Sequence, residues 1–305
     1  MGIIACRARL MLEAKKNGVS FSSTLTLGRQ TNNMMRSELA HLRKTYNIPE
    51  ISDPNYSLKY RSYADAFFYH YLDVNKLSVM DFSDYQDADI IHDMNYPISR
   101  DLEESFDAVI DGGTLEHVFN FPIAIANCMK MLKTGGSLFI FSMANNHCGH
   151  GFYQFSPELF FRIFQSENGF ETKSVILVKH PFPGAELSRK QICFQVRDPA
   201  VSGRRSTLVT RLPLGIMVHA VKIGNKPVFE QYPQQSDYIG KWRDNKGQLQ
   251  KLHKRGAASA LNPEIGLLKL LWSRLPLRLR LPIAGFRQLW KSSLKRDATT
   301  YNKWP

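Results

Sequence analysis

The chain has 305 residues, of which 43% are hydrophobic and 22% are charged, as in an ordinary globular protein. A net charge of +13 would suggest a nucleic-acid partner if it were spread over the chain. However, residues 251–296 hold 11 Lys or Arg and the single acid Glu264, which together account for +10. The rest of the chain carries only +3, so nucleic acid is not the expected partner of its body.

The four cysteines, Cys6, Cys128, Cys148 and Cys193, form no C-x-x-C pair. A chain of this length does not need disulfides to hold its core, which favours reduced thiols in the cytoplasm. The opening segment has too short an apolar run for a signal peptide, and no stretch approaches the roughly 18 apolar residues of a membrane span. We therefore predict a cytoplasmic protein.

The first half of the chain is predicted to alternate helices with short strands. Residues 5–17 have the pattern of an amphipathic helix, and a strand through Leu25 and Leu27 follows. Apolar side chains at three- and four-residue intervals then predict two helices, one through Met35, Leu39, Leu42 and Tyr46 and one through Tyr63, Phe67 and Tyr71. Two short strands come next, the first running into Asp81 and the second ending at Asp93.

The second half continues the alternation. A buried strand at residues 108–110 ends in Asp111-Gly112-Gly113, and a helix after it is predicted to close at Gly135-Gly136. A strand at 137–143 and a helix with a Ser156 cap and Pro157 follow, and the last three strands are not separated by helices. The pattern predicts an α/β fold with a doubly wound, mostly parallel sheet, antiparallel C-terminal strands and a basic C-terminal tail.

The predicted strand ends carry residues suited to an adenosine-containing ligand. Ligands of open parallel sheets bind at the carboxyl ends of the strands, which here hold Gly28, Asp81, Asp93 and the Asp111-Gly112-Gly113 run. An acid after the second strand can accept hydrogen bonds from both ribose hydroxyls, and one after the third can accept from an adenine amino group. Each acid alone could equally start a turn or cap a helix.

One segment carries a family resemblance. Phe106-Asp107, Leu115-Glu116-His117-Val118 and Leu132-Lys133-Thr134-Gly135-Gly136 stand in the order and spacing of class I S-adenosylmethionine-dependent methyltransferases, which the segment resembles. The resemblance extends more loosely over residues 20–225. It implies the Rossmann-like methyltransferase fold for a domain at 1–245, S-adenosyl-L-methionine as cofactor, and cofactor contacts from Asp81 (ribose), Asp93 (adenine), Asp111, Gly112 and Gly113.

The first loop departs from the family pattern. The segment TLTLGRQTNN keeps one glycine, Gly28, while Gln30 and Asn32 stand where further glycines are usual. Side chains there would obstruct a pyrophosphate, which needs close backbone approach, so a nicotinamide dinucleotide is disfavoured. S-adenosylmethionine has no phosphate and tolerates such a loop. We expect Arg29 or Gln30 to reach its carboxylate; the alternative is that cofactor binding has been lost.

His117 and the loop after the fifth strand are the candidates for acceptor chemistry. A histidine with a near-neutral pKa suits a general base, although His117 could instead be a polar residue bonded to the backbone. The loop NNHCGHGFYQFSP could bind a small molecule or a saccharide through Asn146, His147, His150, Tyr153 and Gln154, or be a polar loop anchored by Phe152 and Phe155. The spacing of His147, Cys148 and His150 lacks the usual four-ligand zinc pattern, so no metal is predicted.

The tail at 246–305 mixes leucines and tryptophans with arginines and lysines. Trp272, Phe286 and Trp290 among basic residues fit a segment on an anionic membrane surface, which would place the protein at the inner face of a membrane. A solvated extension or a partner-docking arm fits as well. Nucleic-acid binding is less favoured, because the leucine content exceeds what phosphate contacts require. The leading functional hypothesis is methyl transfer to an oxygen or nitrogen of a small-molecule or saccharide acceptor, and the alternative is a non-catalytic, methyltransferase-like binding or scaffold protein.

Overall fold

A computed structural model describes residues 2–51, 56, 58–180, 191–203, 205–238, 282–283, 286 and 292–304. The chain divides into two compact units. The first comprises residues 1–196, 211–233 and 303–305, and the second comprises residues 197–210 and 234–302. All of the predicted site residues belong to the first unit.

The predicted helices and strands are present in the predicted order, and the structure adds three short strands and, between the last two predicted strands, one short helix. The strands are β1 Gly2–Ile3, β2 Ser23–Leu27, β3 Thr31–Asn32, β4 Lys76–Asp81, β5 Ile90–Ile91, β6 Phe106–Asp111, β7 Leu132–Asn145, β8 Phe170–Lys179, β9 Ile192–Val196, β10 Leu214–Lys222 and β11 Tyr301–Lys303. The helices are α1 Ala5–Lys16, α2 Arg36–Thr45, α3 Asp65–Tyr71, α4 Phe121–Met131, α5 Pro157–Ile163 and α6 Pro199–Ser202. Short 3-10 turns include Leu115–His117, which directly precedes α4.

Eight of the nine strands of the large sheet lie wholly in the first unit, in the order β9-β8-β10-β7-β6-β2-β4-β5. Strands β7, β6, β2, β4 and β5 are parallel, and β10 runs antiparallel between β7 and β8. The chain builds the sheet outward from β2 to β5 and then returns to add β6 on the other side of β2. The strand order therefore reverses between β2 and β6, which is where ligands bind in such sheets.

The centre of the sheet forms because its strands are apolar on both faces. Residues 138–141, in the middle of β7, have no solvent exposure, as expected for a strand covered by helices on both sides. Helix α2 shows the complementary pattern, since Leu39 and Leu42 are buried while most residues between and around them are exposed. Burying each such side chain stabilises the fold by about 1.5–3 kcal/mol. The α/β class and the antiparallel C-terminal strands predicted from the sequence are thus confirmed.

Two predicted helices are shorter in the structure. Helix α4 ends at Met131, and Gly135-Gly136 lie within β7, because Leu132 already pairs with Phe106 of β6. Helix α3 begins only at Asp65, because the preceding residues pair with the first loop: Ala64 donates its N–H to the Gln30 carbonyl. Ser156 occupies the N-cap position of α5, but its side chain makes no capping hydrogen bond.

The second unit is described only in part. It contains α6, which Asp198 caps by accepting the Ala200 N–H at 2.8 Å, and an ion pair between Arg205 and Asp237. Most of the predicted tail, including Trp272 and Trp290, lies outside the described residues. Among the residues that are described, no helix combines the length and the apolar character needed to cross a membrane.

Candidate active site

A pocket of about 260 Å³ lies at the carboxyl ends of β2, β4 and β5. It brings together four of the predicted site residues, namely Gly28, Asp81, Asp93 and His117. A larger cleft of about 560 Å³, lined among others by Cys6 and Trp304, contains none of the predicted site residues. The remaining walls of the smaller pocket are formed by Leu27, Met80, Phe82, His92, Met94, Asn95, Thr114 and Val118.

Gly28 and Asp81 face each other at the base of this pocket. Gly28 has φ +69°, a conformation that side-chain-bearing residues rarely adopt, and donates its N–H to the Met80 carbonyl at 2.7 Å. A Cβ at Gly28 would lie 3.6 Å from Oδ2 of Asp81. The other carboxylate oxygen of Asp81 accepts the Phe82 N–H at 2.7 Å. The carboxylate is therefore fixed by one oxygen while the other is directed towards the glycine turn.

Asp93 is held in a turn at the pocket wall. Its Oδ1 accepts hydrogen bonds from the backbone N–H of Asn95 at 2.9 Å and from the Asn95 side-chain amide at 2.8 Å. Asn95 in turn accepts the backbone N–H of Asn120 at 2.9 Å. The turn after β5 is thereby tied to the segment that follows His117, on the opposite side of the pocket.

Arg29 and Gln30 are engaged with the protein itself. The Arg29 guanidinium pairs with Asp65, lies 3.4 Å from an Asp87 carboxylate oxygen and stacks over the Tyr63 ring at 4.4 Å. The amide of the buried Gln30 donates to the Leu27 and Gly28 carbonyls at 3.1 and 3.0 Å. The first loop is thus ordered by its own side chains, which satisfy backbone groups at the end of β2.

Asp111, Gly112 and Gly113 lie behind the pocket. Asp111 has no solvent exposure, and its Oδ1 accepts the backbone N–H groups of Gly113, Thr114 and Leu115 at 3.1, 2.7 and 3.4 Å. A Cβ at Gly112 would lie 1.9 Å from the Gln30 side chain, so only glycine leaves room for that amide. These residues shape the turn that carries His117.

Burial dominates the ionisation of Asp111. Removal from water, followed by the nearby charge of Glu116, raises the pKa of Asp111 to about 7, against the lowering effect of the three backbone bonds. The folded protein therefore binds this proton more tightly than the unfolded chain, in which the pKa stays near the ordinary value of 3.8. The free energy of unfolding therefore falls as the pH rises from about 4 to 7, because over this range the unfolded chain releases the proton of Asp111 more readily than the folded protein.

We expect Asp111→Asn to be more stable than the wild type at about pH 8, by on the order of 2 kcal/mol, and to lose that advantage as the pH falls to about 4. The amide carries no charge, and its oxygen can still accept the three backbone bonds. Urea unfolding of both proteins at the two pH values, in the presence of a chelator, measures the difference. A stability difference that does not change with pH would contradict the assignment.

The loop after β7 is docked onto the turn at Leu115–His117. The carbonyl of Glu116 accepts the N–H groups of Phe152 and Tyr153 at 2.8 and 3.2 Å. Gly151, with φ +71°, permits this approach, because a Cβ there would lie 2.7 Å from the same carbonyl. The Tyr153 hydroxyl donates to the Phe119 carbonyl at 2.6 Å. The loop is thereby brought over the pocket-lining histidine.

The five predicted acceptor-binding residues differ in their contacts, since some bond to the protein itself and one lies beside His117. Gln154 accepts the His147 N–H at 2.9 Å and Asn146 donates to the Leu212 carbonyl at 3.2 Å, so both hold the loop in shape. The ring of His150 lies 4.9 Å from that of His117 and 6.3 Å from that of His147, measured between centroids. The loop after β7 therefore contributes His150 directly to the neighbourhood of His117.

Glu116 lies beneath these two histidines. It is completely buried; its Oε2 accepts the Ser142 hydroxyl at 2.8 Å, and its Oε1 lies 3.6 Å from His150 Nε2. Burial raises the pKa of Glu116. Partial burial, followed by the nearby His150, lowers the pKa of His117, which favours its neutral form. A neutral imidazole at the pocket wall can accept a proton.

From the sequence, Glu116 and Phe119 were given no individual role, and Phe152 was treated as a buried anchor of the loop. Phe119 and Phe152 are 73% and 69% exposed and meet edge to face with centroids 6.0 Å apart. Phe155, by contrast, is buried, so only one of the two phenylalanines expected to anchor the loop does so. The sequence offered one signal for an aromatic wall, because Phe119 stands two positions after the predicted catalytic residue His117.

Comparison with known proteins agrees with this arrangement. Residues 73–140 match a family model described as a methyltransferase domain. No curated protein matches the chain significantly. That family model covers β4, β5, β6 and α4 and extends into β7, and so includes the ends of β4 and β5 at the pocket but not the end of β2.

Three solved structures illustrate the similarity. The YcgJ protein of Bacillus subtilis is 10% identical, with 73% of this chain and 100% of that chain covered and a TM-score of 0.39. The 1,6-didemethyltoxoflavin-N1-methyltransferase of Burkholderia thailandensis is 10% identical (72% and 78% covered, TM-score 0.36). An arsenic(III) S-adenosylmethionine methyltransferase of Chlamydomonas reinhardtii is 12% identical (74% and 75% covered, TM-score 0.34).

The strand order and the matched segment define a Rossmann-like methyltransferase domain. The chain contains a methyltransferase domain, of which residues 73–140 are the matched part. It is an enzyme of methyl transfer, and S-adenosylmethionine is its methyl donor.

Proposed function

We propose that this enzyme transfers the methyl group of S-adenosylmethionine to an oxygen or nitrogen of a small-molecule or saccharide acceptor. The proposal rests chiefly on one observation, the pocket that joins Gly28, Asp81 and Asp93 to His117. In the reaction the bond between sulfur and the methyl carbon breaks, a bond from the acceptor atom to that carbon forms, and S-adenosylhomocysteine leaves. The acceptor's proton passes to the enzyme or to water.

The nucleoside part of the cofactor occupies this pocket in our proposal. Its volume of about 260 Å³ is below the roughly 300–1,000 Å³ usual for ligand pockets, so we expect the methionine part to lie outside it. Asp81 accepts the ribose hydroxyls next to Gly28, and Asp93 accepts from the adenine amino group. Arg29 would have to exchange its partner Asp65 for the cofactor's carboxylate, so backbone groups of the first loop are the better candidates to hold it.

His117 assists removal of the acceptor's proton, as a general base in the absence of a metal ion. The sulfonium already activates its methyl group, so the protein mainly holds the acceptor in line with it. His117 lines the pocket, and its ring lies beside that of His150 in the loop after β7; these two contacts support the proposal that it acts between the two substrates. The acceptor loop supplies hydrogen-bonding groups around that position.

The exposed pair Phe119 and Phe152 gives the acceptor site an aromatic wall. Exposed aromatic rings stack on planar ligands and on the apolar face of sugar rings. Together with the neighbouring histidines, this wall favours an acceptor with both a flat or apolar face and a hydroxyl or amine group.

We expect Phe152→Ala to raise KM for the acceptor by about three- to tenfold, since a stacked ring contributes about 0.5–1.5 kcal/mol beyond its buried area. Affinity for S-adenosylhomocysteine should stay the same, because Phe152 does not line the cofactor pocket. Steady-state kinetics on an acceptor identified by labelled-methyl transfer measures the change, and Tyr232→Ala serves as a control that removes another exposed aromatic ring. An unaltered KM would remove the ring from the acceptor site.

The experiment that tests the proposed function is calorimetric titration with S-adenosylhomocysteine, followed by transfer of labelled methyl from S-adenosylmethionine to panels of saccharides and other small hydroxyl and amine compounds. Micromolar binding and labelling of a panel compound would support the proposal. No binding to protein that circular dichroism shows to be folded would overturn it. Binding together with labelling of proteins or nucleic acids alone would overturn the acceptor class.

For the tail at 246–305 we propose association with an anionic membrane surface, on the strength of its sequence. Eleven basic residues against one acid between 251 and 296 supply the charge, and leucines and tryptophans supply the apolar contacts. Sedimentation with vesicles that contain anionic lipid should carry the protein down at low salt and release it at high salt. Equal sedimentation with neutral vesicles would contradict this electrostatic attraction.

A further inference from the structure

Three potential metal ligands meet beside the cofactor pocket. One ligand atom each from Glu116, His117 and His150 lies within 4.8 Å of the others. They come from two segments of the chain, the 3-10 turn after β6 and the loop after β7. Two imidazoles and one carboxylate form the ligand set of a well-known type of catalytic zinc site that leaves a fourth position open.

The environment of the Glu116 carboxylate suits a bound cation, because one of its oxygens is buried without a hydrogen-bond partner among the described residues. Its Oε2 is fixed by the Ser142 hydroxyl, while Oε1 is fully buried and has no hydrogen-bond partner among the described residues. Leaving a buried carboxylate oxygen unpaired is costly, by about 1–3 kcal/mol or more. That oxygen is directed at His150 Nε2, which also has no hydrogen-bond partner among the described residues.

The spacing suits a small ion. Ligand atoms about 2.0–2.2 Å from a tetrahedral Zn²⁺ lie about 3.3–3.6 Å from one another. Glu116 Oε1 and His150 Nε2 are 3.6 Å apart. A ring nitrogen of His117 lies within 4.8 Å of both other ligand atoms and completes the set. Gly151 holds the two segments close enough for this, because its lack of a side chain lets the loop approach the Glu116 carbonyl.

We propose that Glu116, His117 and His150 bind a divalent transition-metal ion of the zinc type, with its open position facing the acceptor. This inference rests on the proposed function and refines one part of it. With the ion bound, His117 is a ligand rather than a free base, and an acceptor hydroxyl coordinates the ion. Coordination lowers the acceptor's pKa, so that its proton is released to water before the methyl group is transferred.

The test is titration of chelator-treated, full-length protein with Zn²⁺ by calorimetry and with Co²⁺ by visible absorption. We expect one equivalent to bind at micromolar or lower concentration, with the Co²⁺ band of a four- or five-coordinate site. Affinity should fall at least tenfold in Glu116→Gln and in His150→Ala. His41→Ala, which removes an exposed histidine of α2, and Cys148→Ser should bind the ions like the wild type.

Two outcomes would overturn the proposal: no stoichiometric binding, or binding that is equal in the wild type and in both ligand variants. Glu116 is buried, so Glu116→Gln is checked for folding by circular dichroism, and the partly exposed His150 provides a variant with less risk. Titration of the same samples with S-adenosylhomocysteine separates the hypotheses. Cofactor binding without metal binding would leave the proposed function standing with His117 as the free base.

Discussion

Asp81→Ala is expected to abolish measurable binding of S-adenosylhomocysteine, raising Kd at least about 100-fold. Two ribose hydroxyls donating to one carboxylate are charge-assisted hydrogen bonds, each worth about 1.5–3 kcal/mol, and a loss of about 3 kcal/mol corresponds to the expected factor. The side chain is partly exposed and holds one backbone N–H, that of Phe82, so its removal should not unfold the protein. Calorimetric titration measures the loss.

The comparison for this variant is Asp101→Ala, which removes an exposed acid outside the pocket and leaves net charge equal to that of Asp81→Ala. Thermal unfolding of both variants shows whether the fold persists. If Asp81→Ala bound S-adenosylhomocysteine as the wild type does, the ribose assignment would be wrong, even though the enzyme class would remain. Loss of binding in both variants would point to a general effect of charge.

The sheet was predictable because its information is local. Runs such as residues 138–141 are apolar enough to indicate a strand covered on both faces. The last three predicted strands lack long helices between them, which indicates the antiparallel finish, although the structure adds the four-residue α6 between β9 and β10. Helix ends were less predictable, since they depend on partners elsewhere in the chain. Helix α4 ends at Met131 because Leu132 pairs with Phe106. The sequence gives no sign of this pairing, and Gly135-Gly136 suggests a later end for the helix.

In the first loop, too, the residue types were visible in the sequence, whereas their contacts with distant residues were not. The sequence shows that Gln30 replaces a glycine, which suggests either an altered cofactor loop or a lost one. In the structure the Gln30 amide bonds the Leu27 and Gly28 carbonyls and fills the space above Gly112. Gly112 is 82 positions away from Gln30, so the sequence of the loop alone could not predict this contact.

The strand-end acids were predictable as a set but not in their individual environments. Asp81 and Asp93 line the pocket, whereas Asp111 is fully buried and accepts three backbone N–H groups. Glu116 was passed over because a charged residue in a turn ordinarily faces water. Its burial arises from β7, which supplies Ser142, and from the loop beyond it, which supplies His150.

His117→Ala is expected to lower kcat by about 100- to 10,000-fold, the range typical of a group that assists proton transfer, with little change in affinity for S-adenosylhomocysteine. The imidazole is exposed at the pocket wall, so its removal should not disturb the fold. Single-turnover transfer of labelled methyl to the acceptor measures the effect, and His41→Ala serves as the matched control. A rate equal to that of the wild type would exclude His117 from the reaction.

The same measurement, repeated after treatment with a chelator, distinguishes the two roles open to His117. If it acts as a free base, the chelator leaves the wild-type rate unchanged, and the variant stays slow under both conditions. If it acts as a metal ligand, the chelator lowers the wild-type rate towards that of the variant, and added Zn²⁺ restores the wild type alone. The difference follows from where the acceptor's proton goes: to a neutral imidazole in the first case, and to water from a metal-bound acceptor in the second.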